Sequence, residues 1–488
     1  MEREVKFEVP ATALPALREA LQSAPTHTLA LRALYYDTAD GALARHGLSL
    51  RLRKEGRAWV QTVKGPGASM LERAEFNVAV KAGPRGAAPL PDVSRHHGTP
   101  AQTWLLEALA PRPGAPAAPL SLQFEVKVER QLRLVSDGGA LVELALDTGR
   151  IEAGGRSQPL CEFELELKQG DVADLLRLAR QWRQQHGLWL SQITKAAKGR
   201  RLAEGAACGP PVTAQALHYP ARASSGEVAA AALMSCLAQV IGNSSELAGG
   251  AGGDEHVHQA RVGIRRLRTA LRELRLLVGA QVAHDPPLVE AFRVLGAWRD
   301  QTHVLVSVAP QFAQAGGPAL EPAPAQDLVS PADAVCAPAF QDTLLALLAL
   351  AGTLEGEGSG PARQAIRPVL DRLWGQVIRQ GHRFTALDDA AQHRVRKRLK
   401  RLRYLAEFVA PLFARRRVGR FLEQLKPVQD ALGTYNDEGI ALSVYRGLVA
   451  DDARAWFGVG WLAARRDSQA RASRKALRRL ADARAFWH

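Results

Sequence analysis

Apolar and polar residues alternate along several short segments in the N-terminal part of the chain. The alternation is clean at residues 48–53, and it recurs in five other segments, at 59–64, 72–80, 124–134, 140–147 and 161–168. Because successive side chains of a β-strand point to opposite faces, a period of two predicts strands. Helical spacing interrupts the alternation at 11–22 and 171–186. The pattern therefore predicts a strand-rich domain over residues 1–205.

The pattern changes after a linker at residues 206–221 that is rich in Gly, Pro and Ala. Beyond it, long segments rich in Ala, Leu and Arg carry apolar residues at helical spacing, which predicts an all-α domain. A segment that begins at His258 recurs at His393, and another that begins at Leu295 recurs at Leu432 at nearly the same separation. Such a repeat predicts two related helical bundles.

Charged residues occupy one face of several predicted strands. These faces carry three clear sets of residues: Glu2, Glu4 and Lys6; Arg51 and Arg53; Glu162, Glu164 and Glu166. For a single strand, the plain interpretation is a half-buried strand with its charges in solvent. Mixed charges at period two in five or six strands favour a closed sheet with a polar lumen. Carboxylates are the ligands of hard divalent cations, and basic side chains neutralise phosphates, so this lumen would suit a metal-bound polyphosphate.

The N-terminal motif Glu2-x-Glu4-x-Lys6 resembles the signature of the CYTH superfamily, the triphosphate tunnel metalloenzymes. Further matches follow in order over about the first 205 residues, at Arg130 and at residues 35–38, 50–53, 62–64, 72–75, 146–147, 162–166 and 195–199. The resemblance implies an antiparallel eight-stranded β-tunnel barrel with a triphosphate bound inside. The whole chain would then be a two-domain α+β protein.

The CYTH resemblance also implies roles for individual residues. The metal ligands for Mg²⁺ or Mn²⁺ would be Glu2, Glu4, Glu164 and Glu166. The catalytic set would be Glu2, Glu4, Lys6, Lys64 and Asp147. The substrate-binding set would be Arg51, Arg53, Arg73, Glu75, Arg130 and Lys195, with Glu75 and Glu162 orienting the basic groups. The family pattern leaves open which carboxylate orients the attacking water.

In the all-α part, basic residues form a stripe on each of two predicted helices. The first stripe advances by three or four residues through His258, Arg261, Arg265, Arg268, Arg272 and Arg275, and the second through His393, Arg396, Lys400 and Arg403. Like charges at this spacing repel one another, so a stripe of one sign implies an external counter-charge. Nucleic acid commonly supplies it. However, aromatic residues do not interleave with these stripes, which disfavours a nucleic-acid partner.

The stripes resemble instead those of the CHAD domain, over roughly residues 222–488. The resemblance implies two four-helix bundles that bind inorganic polyphosphate. The polyphosphate-binding residues would be His258, Arg261, Arg265, Arg266, Arg268, His393, Arg396, Lys400, Arg401 and Arg403. The tandem of the two domains is most similar to bacterial inorganic triphosphatases, hydrolases that convert tripolyphosphate to diphosphate and phosphate.

The amino-acid composition indicates which partners and which cellular location to expect. The net charge of +15 predicts an acidic partner, here triphosphate and polyphosphate. The four cysteines have no short pairing, and the longest apolar run, 344–351, is far shorter than the roughly 20 residues of a membrane span. We therefore expect a cytoplasmic protein, with polyphosphate granules as a second location and no membrane partner. Two alternatives stay open: a polyphosphate-binding, granule-associated module with weak or regulatory hydrolase activity, and a nucleoside or thiamine triphosphatase.

Overall fold

The computed structural model of the protein describes residues 2–67, 69–83, 87–110, 118–278, 285–320, 328–354 and 360–488. The chain divides into two compact units. The first unit comprises Met1–Val212, Ile241–Gly252 and Cys336–Ala349, and the second comprises Thr213–Val240, Gly253–Val335 and Leu350–His488. The first unit therefore includes two segments that lie beyond the predicted linker in sequence.

The first unit is built on a closed sheet. Its strands are β1 (Glu2–Glu8), β2 (His27–Asp37), β3 (Ser49–Glu55), β4 (Ala58–Pro66), β5 (Glu72–Val80), β6 (Ser121–Asp137), β7 (Ala140–Ala153), β8 (Arg156–Gln169) and β9 (Trp189–Leu190). Eight of them follow the order β5-β4-β3-β2-β6-β7-β8-β1, and β1 also pairs with β5. All pairs are antiparallel, and the short β9 joins the side of β1. The predicted eight-stranded antiparallel barrel is confirmed.

The barrel buries much of its apolar surface on the outside, against helices. The helices of this region are α1 (Leu14–Gln22), α2 (Ala42–Arg45), α3 (Pro100–Leu109), α4 (Val172–His186) and α5 (Lys195–Glu204). Leu50 of β3 packs in one cluster with Leu105 of α3, and the ring of Phe163 in β8 lies 5.3 Å from that of Trp182 in α4. Because side chains alternate along a strand, the charged residues between these apolar ones face the lumen.

Helix α5 packs against an apolar layer on the inner face of the barrel, and this contact places Lys195. The layer includes Tyr35, Phe124 and Val126, and residues of α5 pack against it. A Cβ atom on Gly199 would come within 2.1 Å of the Phe124 ring, so the close approach of α5 requires glycine at this position. Lys195 begins the helix, at the charged part of the lumen.

The second half of the chain is helical, as predicted. Its helices are α6 (Ser225–Ala248), α7 (Asp254–Val278), α8 (Asp285–Gln314), α9 (Pro331–Cys336), α10 (Pro338–Leu354), α11 (Ala362–Ala365), α12 (Arg367–His382), α13 (Asp389–Phe408), α14 (Arg415–Leu448) and α15 (Ala455–Ala481). Helices α12, α13, α14 and α15 pack around one another as a four-helix bundle, and α7 packs against α8 and α13. The predicted sequence repeat therefore corresponds to α7 and α8 in one copy and α13 and α14 in the other.

One helix in the described part of the chain, α6, has the length and composition of a membrane span. Of its most apolar stretch, 72% is buried inside the protein, and core helices of soluble proteins have the same properties.

Candidate functional site

The barrel encloses a cavity of about 810 Å³. The predicted site residues that line it are Glu2, Glu4, Lys6, Arg51, Arg53, Lys64, Arg73, Glu75, Arg130, Glu164, Glu166 and Lys195. Asp147 is fully buried and does not line the cavity, but it contacts Arg130 and Lys195. The structure therefore brings all of the predicted barrel residues to one place.

Strand register explains why these residues meet. Residues directly opposite each other across neighbouring strands include Glu4 and Glu166, Lys6 and Glu164, Glu2 and Arg73, Lys64 and Glu75, and Arg130 and Asp147. A register shift of one residue would turn each set of charges to the outer face. The closure of β1 on both β5 and β8 thus joins the two ends of the charged surface.

One group of charges, the Lys64 cluster, comprises Lys64, Glu2, Glu75 and Arg51. The Lys64 Nζ lies 2.6 Å from an oxygen of Glu2 and 2.6 Å from one of Glu75, and Arg51 Nη2 lies 3.6 Å from Glu75 Oε1. The pKa of Glu2 is raised to about 7. Burial is the main cause, and the hydrogen bond with Glu75 adds to it, whereas the positive charge of Lys64 acts in the opposite direction. Burial acts the same way on Glu75, but Lys64, the bond to Glu2 and Arg51 hold its pKa well below the ordinary value. Glu2 and Glu75 thus form a carboxyl–carboxylate pair bridged by one ammonium group.

A second group, the Lys195 cluster, comprises Lys195, Arg130, Asp147, Glu162 and Glu164. The Lys195 Nζ lies 2.9 Å from Asp147 Oδ2, 2.7 Å from Glu162 Oε2 and 2.6 Å from Glu164 Oε1. Arg130 donates to both oxygens of Asp147 at 2.6 Å and to Glu164 at 2.8 Å. Burial opposes the charge of Lys195, but the three carboxylates raise its pKa well above the ordinary value. Asp147 therefore holds two cationic side chains at the cavity wall.

Glu162 is a carboxylate that three ammonium groups share. It is fully buried, and its Oε1 lies 2.8 Å from Lys198 Nζ and 3.4 Å from Lys6 Nζ, in addition to the contact with Lys195. Burial would raise the pKa of Glu162, but Lys195, Lys6 and Lys198 lower it to about 2. Lys6 also donates to the backbone oxygen of Ile193. The orienting role of Glu162 stays a prediction, and these contacts show which ammonium groups it would orient.

Carboxylate oxygens are the ligands that a divalent cation prefers, but those in the described part of the chain are not arranged around a common metal position. In the described part of the chain, no three His, Cys, Asp or Glu side chains are arranged to hold a metal ion. Three of the four predicted ligands are instead paired with lysine, namely Glu2 with Lys64, Glu164 with Lys195 and Glu166 with Lys168. The fourth, Glu4, lies directly opposite Glu166 across β1 and β8, and hard cations prefer carboxylate oxygens as ligands. A cation would therefore take the place of lysine ammonium groups.

The charged residues of the cavity wall to which sequence reasoning assigned no role include Glu143 and Lys168. The Lys168 Nζ lies 3.2 Å from Glu143 Oε1 and 2.8 Å from Glu166 Oε2. Both could have been found by continuing the period of two, because Lys168 follows Glu166 by two positions and Glu143 precedes Asp147 by four.

In the helical unit, the two sequence repeats bring their basic residues together. Arg261 and Arg265 of α7 lie near Arg396 and Lys400 of α13, and we call these four residues the basic cluster. Burial and the charges of Arg265, Arg396 and Arg261 together lower the pKa of Lys400 to about 6, against the attraction of Asp437. Such mutual repulsion is relieved by a bound anion.

Two histidines and two carboxylates surround the basic cluster. Burial lowers the pKa of His258, together with the charges of Arg299, Arg265 and Arg261, against the attraction of Glu255. Burial likewise lowers the pKa of His393, together with the charges of Lys397, Arg396 and Lys400, against a hydrogen bond with the Asn436 side chain. Asp437 Oδ1 lies 3.8 Å from Arg396 Nη2, and the charge of Asp300 acts on Arg261.

The basic cluster rests partly on an aromatic ring that the sequence pattern did not indicate. The guanidinium of Arg261 lies 4.7 Å from the ring centroid of Phe292, and that of Arg265 lies 5.8 Å away. Phe292 belongs to α8, so it could not be seen as interleaved with the stripe on α7. Cation–π contacts of this kind hold guanidinium groups in place.

Four predicted polyphosphate ligands have carboxylate partners of their own. Arg401 Nη1 lies 3.0 Å from Glu273, Arg268 lies 2.5 Å from Asp285, and Arg403 lies 2.7 Å from Glu407. Arg266 is 3% exposed and also pairs with Glu407. Arg266 and Arg401 each follow a stripe residue by one position, which turns them by about 100° around the helix. These four residues thus have closer carboxylate partners than Arg396 of the basic cluster, which lies 3.8 Å from Asp437.

Comparisons with known proteins agree with the two halves of the fold. An inorganic triphosphatase of Haemophilus influenzae is 31% identical over 168 residues, which are 34% of this chain and 44% of that protein. The chain therefore matches less than half the length of that curated relative.

Solved structures give two further likenesses. The CHAD domain of the plant Ricinus communis has a TM-score of 0.48 and 26% identity, and the match covers 55% of this chain and 97% of that one. The protein HpAC1 from Hippeastrum, described as having a dominant triphosphatase activity, has a TM-score of 0.31 and 18% identity, with coverage of 42% and 97%.

Family models match both parts of the sequence. The CYTH domain model matches residues 1–199, and the CHAD domain model matches residues 231–446. Residues 1–199 are therefore a CYTH domain, and residues 231–446 are a CHAD domain.

Proposed function

We propose that the barrel is a metal-dependent triphosphatase that cleaves inorganic triphosphate into diphosphate and phosphate. The observation that carries this proposal is the lumen, where ammonium, guanidinium and carboxylate groups of the barrel wall pair with one another around a cavity of about 810 Å³. The curated relative that matches 168 residues of the chain is named an inorganic triphosphatase, which supports this substrate.

The ion pairs of the lumen suggest how substrate and cation would be bound. Phosphate oxygens would replace carboxylates as partners of the basic residues, which are Lys6, Arg51, Arg53, Lys64, Arg73, Arg130 and Lys195. The released carboxylates Glu2, Glu164 and Glu166, together with Glu4, would hold Mg²⁺ or Mn²⁺. When bound, the cation would polarise phosphoryl oxygens and make a bound water more acidic. The basic residues would keep the phosphates in line and neutralise the charge that develops at the bridging oxygen.

A substrate panel tests this proposal. We expect phosphate release from inorganic triphosphate in the presence of Mg²⁺ or Mn²⁺, and loss of that release with a chelator. ATP and thiamine triphosphate in the same panel distinguish the nucleoside and thiamine triphosphatase alternatives. Tight triphosphate binding without turnover would contradict the proposal and favour a binding module.

We propose that the helical unit binds inorganic polyphosphate at the basic cluster. Four basic side chains from two repeats lie close enough for their positive charges to repel one another, and a linear polyanion would relieve that repulsion. His258 and His393 flank them and would add charge at lower pH. A chain held there would raise the local concentration of phosphate anhydride near the protein.

Polyphosphate affinity should fall as the pH rises above about 6. Lys400 has a pKa of about 6 in the free cluster and is mostly neutral at pH 7. A bound polyanion raises this pKa, so binding at pH 7 takes up a proton, and the affinity changes by up to about tenfold per pH unit. At a pH below the pKa that Lys400 has without polyphosphate, Lys400 is charged in both the free and the bound protein. It then no longer contributes to the pH dependence of binding. Titration calorimetry in two buffers of different ionisation enthalpy measures the proton uptake.

Lys400→Arg provides the matched control, because arginine keeps its charge throughout this range. The variant should bind polyphosphate with much less proton uptake. Equal uptake in both proteins would contradict the assignment to Lys400. Displacement of polyphosphate by duplex DNA at physiological salt would contradict polyphosphate as the preferred ligand.

We further propose a cytoplasmic location, with association with polyphosphate granules through the basic cluster. Cys161, Cys208, Cys236 and Cys336 form no disulfide within the described part of the chain, which supports a reducing compartment.

A further inference from the structure

Two segments of the first unit lie far along the chain from the barrel strands yet line its cavity. The segment Ile241–Gly252 contributes Ile241, and the segment Cys336–Ala349 contributes Leu348. Both segments also bond to the backbone that runs from the end of β9 to α5, which leads directly into Lys195.

The contacts are hydrogen bonds from backbone amides to buried side chains. Leu190 N donates to Gln341 Oε1 at 2.9 Å, and Gln192 N donates to Ser245 Oγ at 3.1 Å. Gln341 is 1% exposed and Ser245 is 2% exposed. Alternate amides of an extended segment point to opposite edges, and Ser191 N, between these two, donates to β1. Gln341 and Ser245 therefore accept from the edge that the barrel leaves unpaired.

This backbone segment holds two ammonium groups of the cavity. Ser191 N donates to the backbone oxygen of Lys6 at 3.0 Å, and Lys6 Nζ donates to the oxygen of Ile193. Thr194 then caps α5 by accepting from Ala197 N at 3.0 Å. Lys195 is the first residue of that helix. A displacement of residues 190–194 would therefore move the anchors of both lysines.

We propose that Gln341 and Ser245 are positioning residues for the barrel cavity, which hold residues 190–194 and through them the ammonium groups of Lys6 and Lys195. The inference rests on the proposed triphosphatase function. Lysine side chains are flexible, so the place of the ammonium group depends on the backbone that carries it. Misplacement of a substrate-binding group by about 1 Å can cost about a hundredfold in rate.

A pair of adjacent serines offers a matched test. Ser244 is as buried as Ser245, but its hydroxyl makes no hydrogen bond within the described part of the chain. We expect Ser245→Ala to speed hydrogen exchange in a peptide covering residues 187–194 and to lower kcat/KM for triphosphate about tenfold. Most of the loss should appear in KM, because the two lysines bind phosphate before and during the reaction. Ser244→Ala should change neither quantity.

A second pair of variants tests the other contact. Gln341→Leu removes the acceptor for Leu190 N and should reproduce both effects. Thr343→Ala is its control on the same helix, because the Thr343 hydroxyl donates to Ala339 O within that helix, at 2.7 Å. Melting temperatures of all four variants show whether a loss of stability alone accounts for a kinetic change.

The outcomes separate the inference from the function on which it rests. Faster exchange at residues 187–194 with unchanged kcat/KM would overturn the positioning role and leave the triphosphatase proposal intact. Equal kinetic losses in Ser245→Ala and Ser244→Ala would likewise overturn it, because packing would then be the cause. Absence of triphosphatase activity in the unmodified protein would refute the proposed function itself, and the inference with it.

Discussion

Glu4→Gln should reduce metal-dependent phosphate release from triphosphate by about a hundredfold or more. Glu4 lies opposite Glu166 across β1 and β8, and both line the cavity. The amide keeps the shape of the side chain but removes the negative charge that a divalent cation requires. A loss of about 3 kcal/mol of transition-state stabilisation corresponds to a hundredfold in rate. A phosphate-release assay over a range of Mg²⁺ and Mn²⁺ concentrations measures the effect.

The fold should survive this change, because it removes one of two facing carboxylates and so relieves repulsion. Glu129→Gln is the matched control, since Glu129 lies on β6 and is exposed. Full activity in Glu4→Gln would contradict the assignment of the lumen as the reaction site. A fall in activity of the same size in Glu129→Gln would show that the assay responds to overall charge.

Lys195→Met should lower the free energy of unfolding by about 3–5 kcal/mol, because it leaves buried carboxylates without a counter-charge. The Lys195 ammonium lies within 3 Å of oxygens from Asp147, Glu162 and Glu164, and the first two of these residues are fully buried. Phosphate release should fall as well, since the same ammonium faces the cavity. Urea denaturation measures the first effect, and the assay described above measures the second.

Lys198→Met is the matched control on the same helix. Lys198 bridges Glu8 and Glu162, and its removal leaves Glu162 in contact with both Lys195 and Lys6. Its loss should therefore cost clearly less stability than the loss of Lys195. Equal destabilisation by the two substitutions would contradict the central place of Lys195 among the carboxylates.

The barrel could be predicted from sequence because its charged and apolar residues alternate strictly. The alternation located β3 to β8, and the charges on one face indicated a polar lumen. It did not locate β2, whose centre has buried apolar residues on both faces, such as Leu34 and Tyr35. A strand that is apolar on both sides shows no period of two.

The residues of the barrel site could be predicted more completely from the sequence than those of the helical unit. In the barrel, motif residues far apart in sequence meet because register brings them opposite one another, as Glu4 and Glu166 do. In the helical unit, spacing along one helix could not show which side chains have partners on another helix. Arg266 follows Arg265 directly, yet it is buried against Glu407. Contacts of this kind depend on packing between distant segments, which periodicity does not record.

In β1 and β8, alternate positions of a single strand serve two different purposes, which are binding inside the barrel and packing outside it. Even-numbered positions of β1 and β8, such as Glu4 and Glu164, carry charges that face one another inside, while odd-numbered positions such as Phe7 and Phe163 carry the apolar packing outside. Each of these strands thus has one face whose residues supply the chemistry of the cavity and one face whose residues stabilise the fold. A substitution at an inner position can therefore change the chemistry of the cavity while the packing outside is preserved, provided that the charges inside still balance.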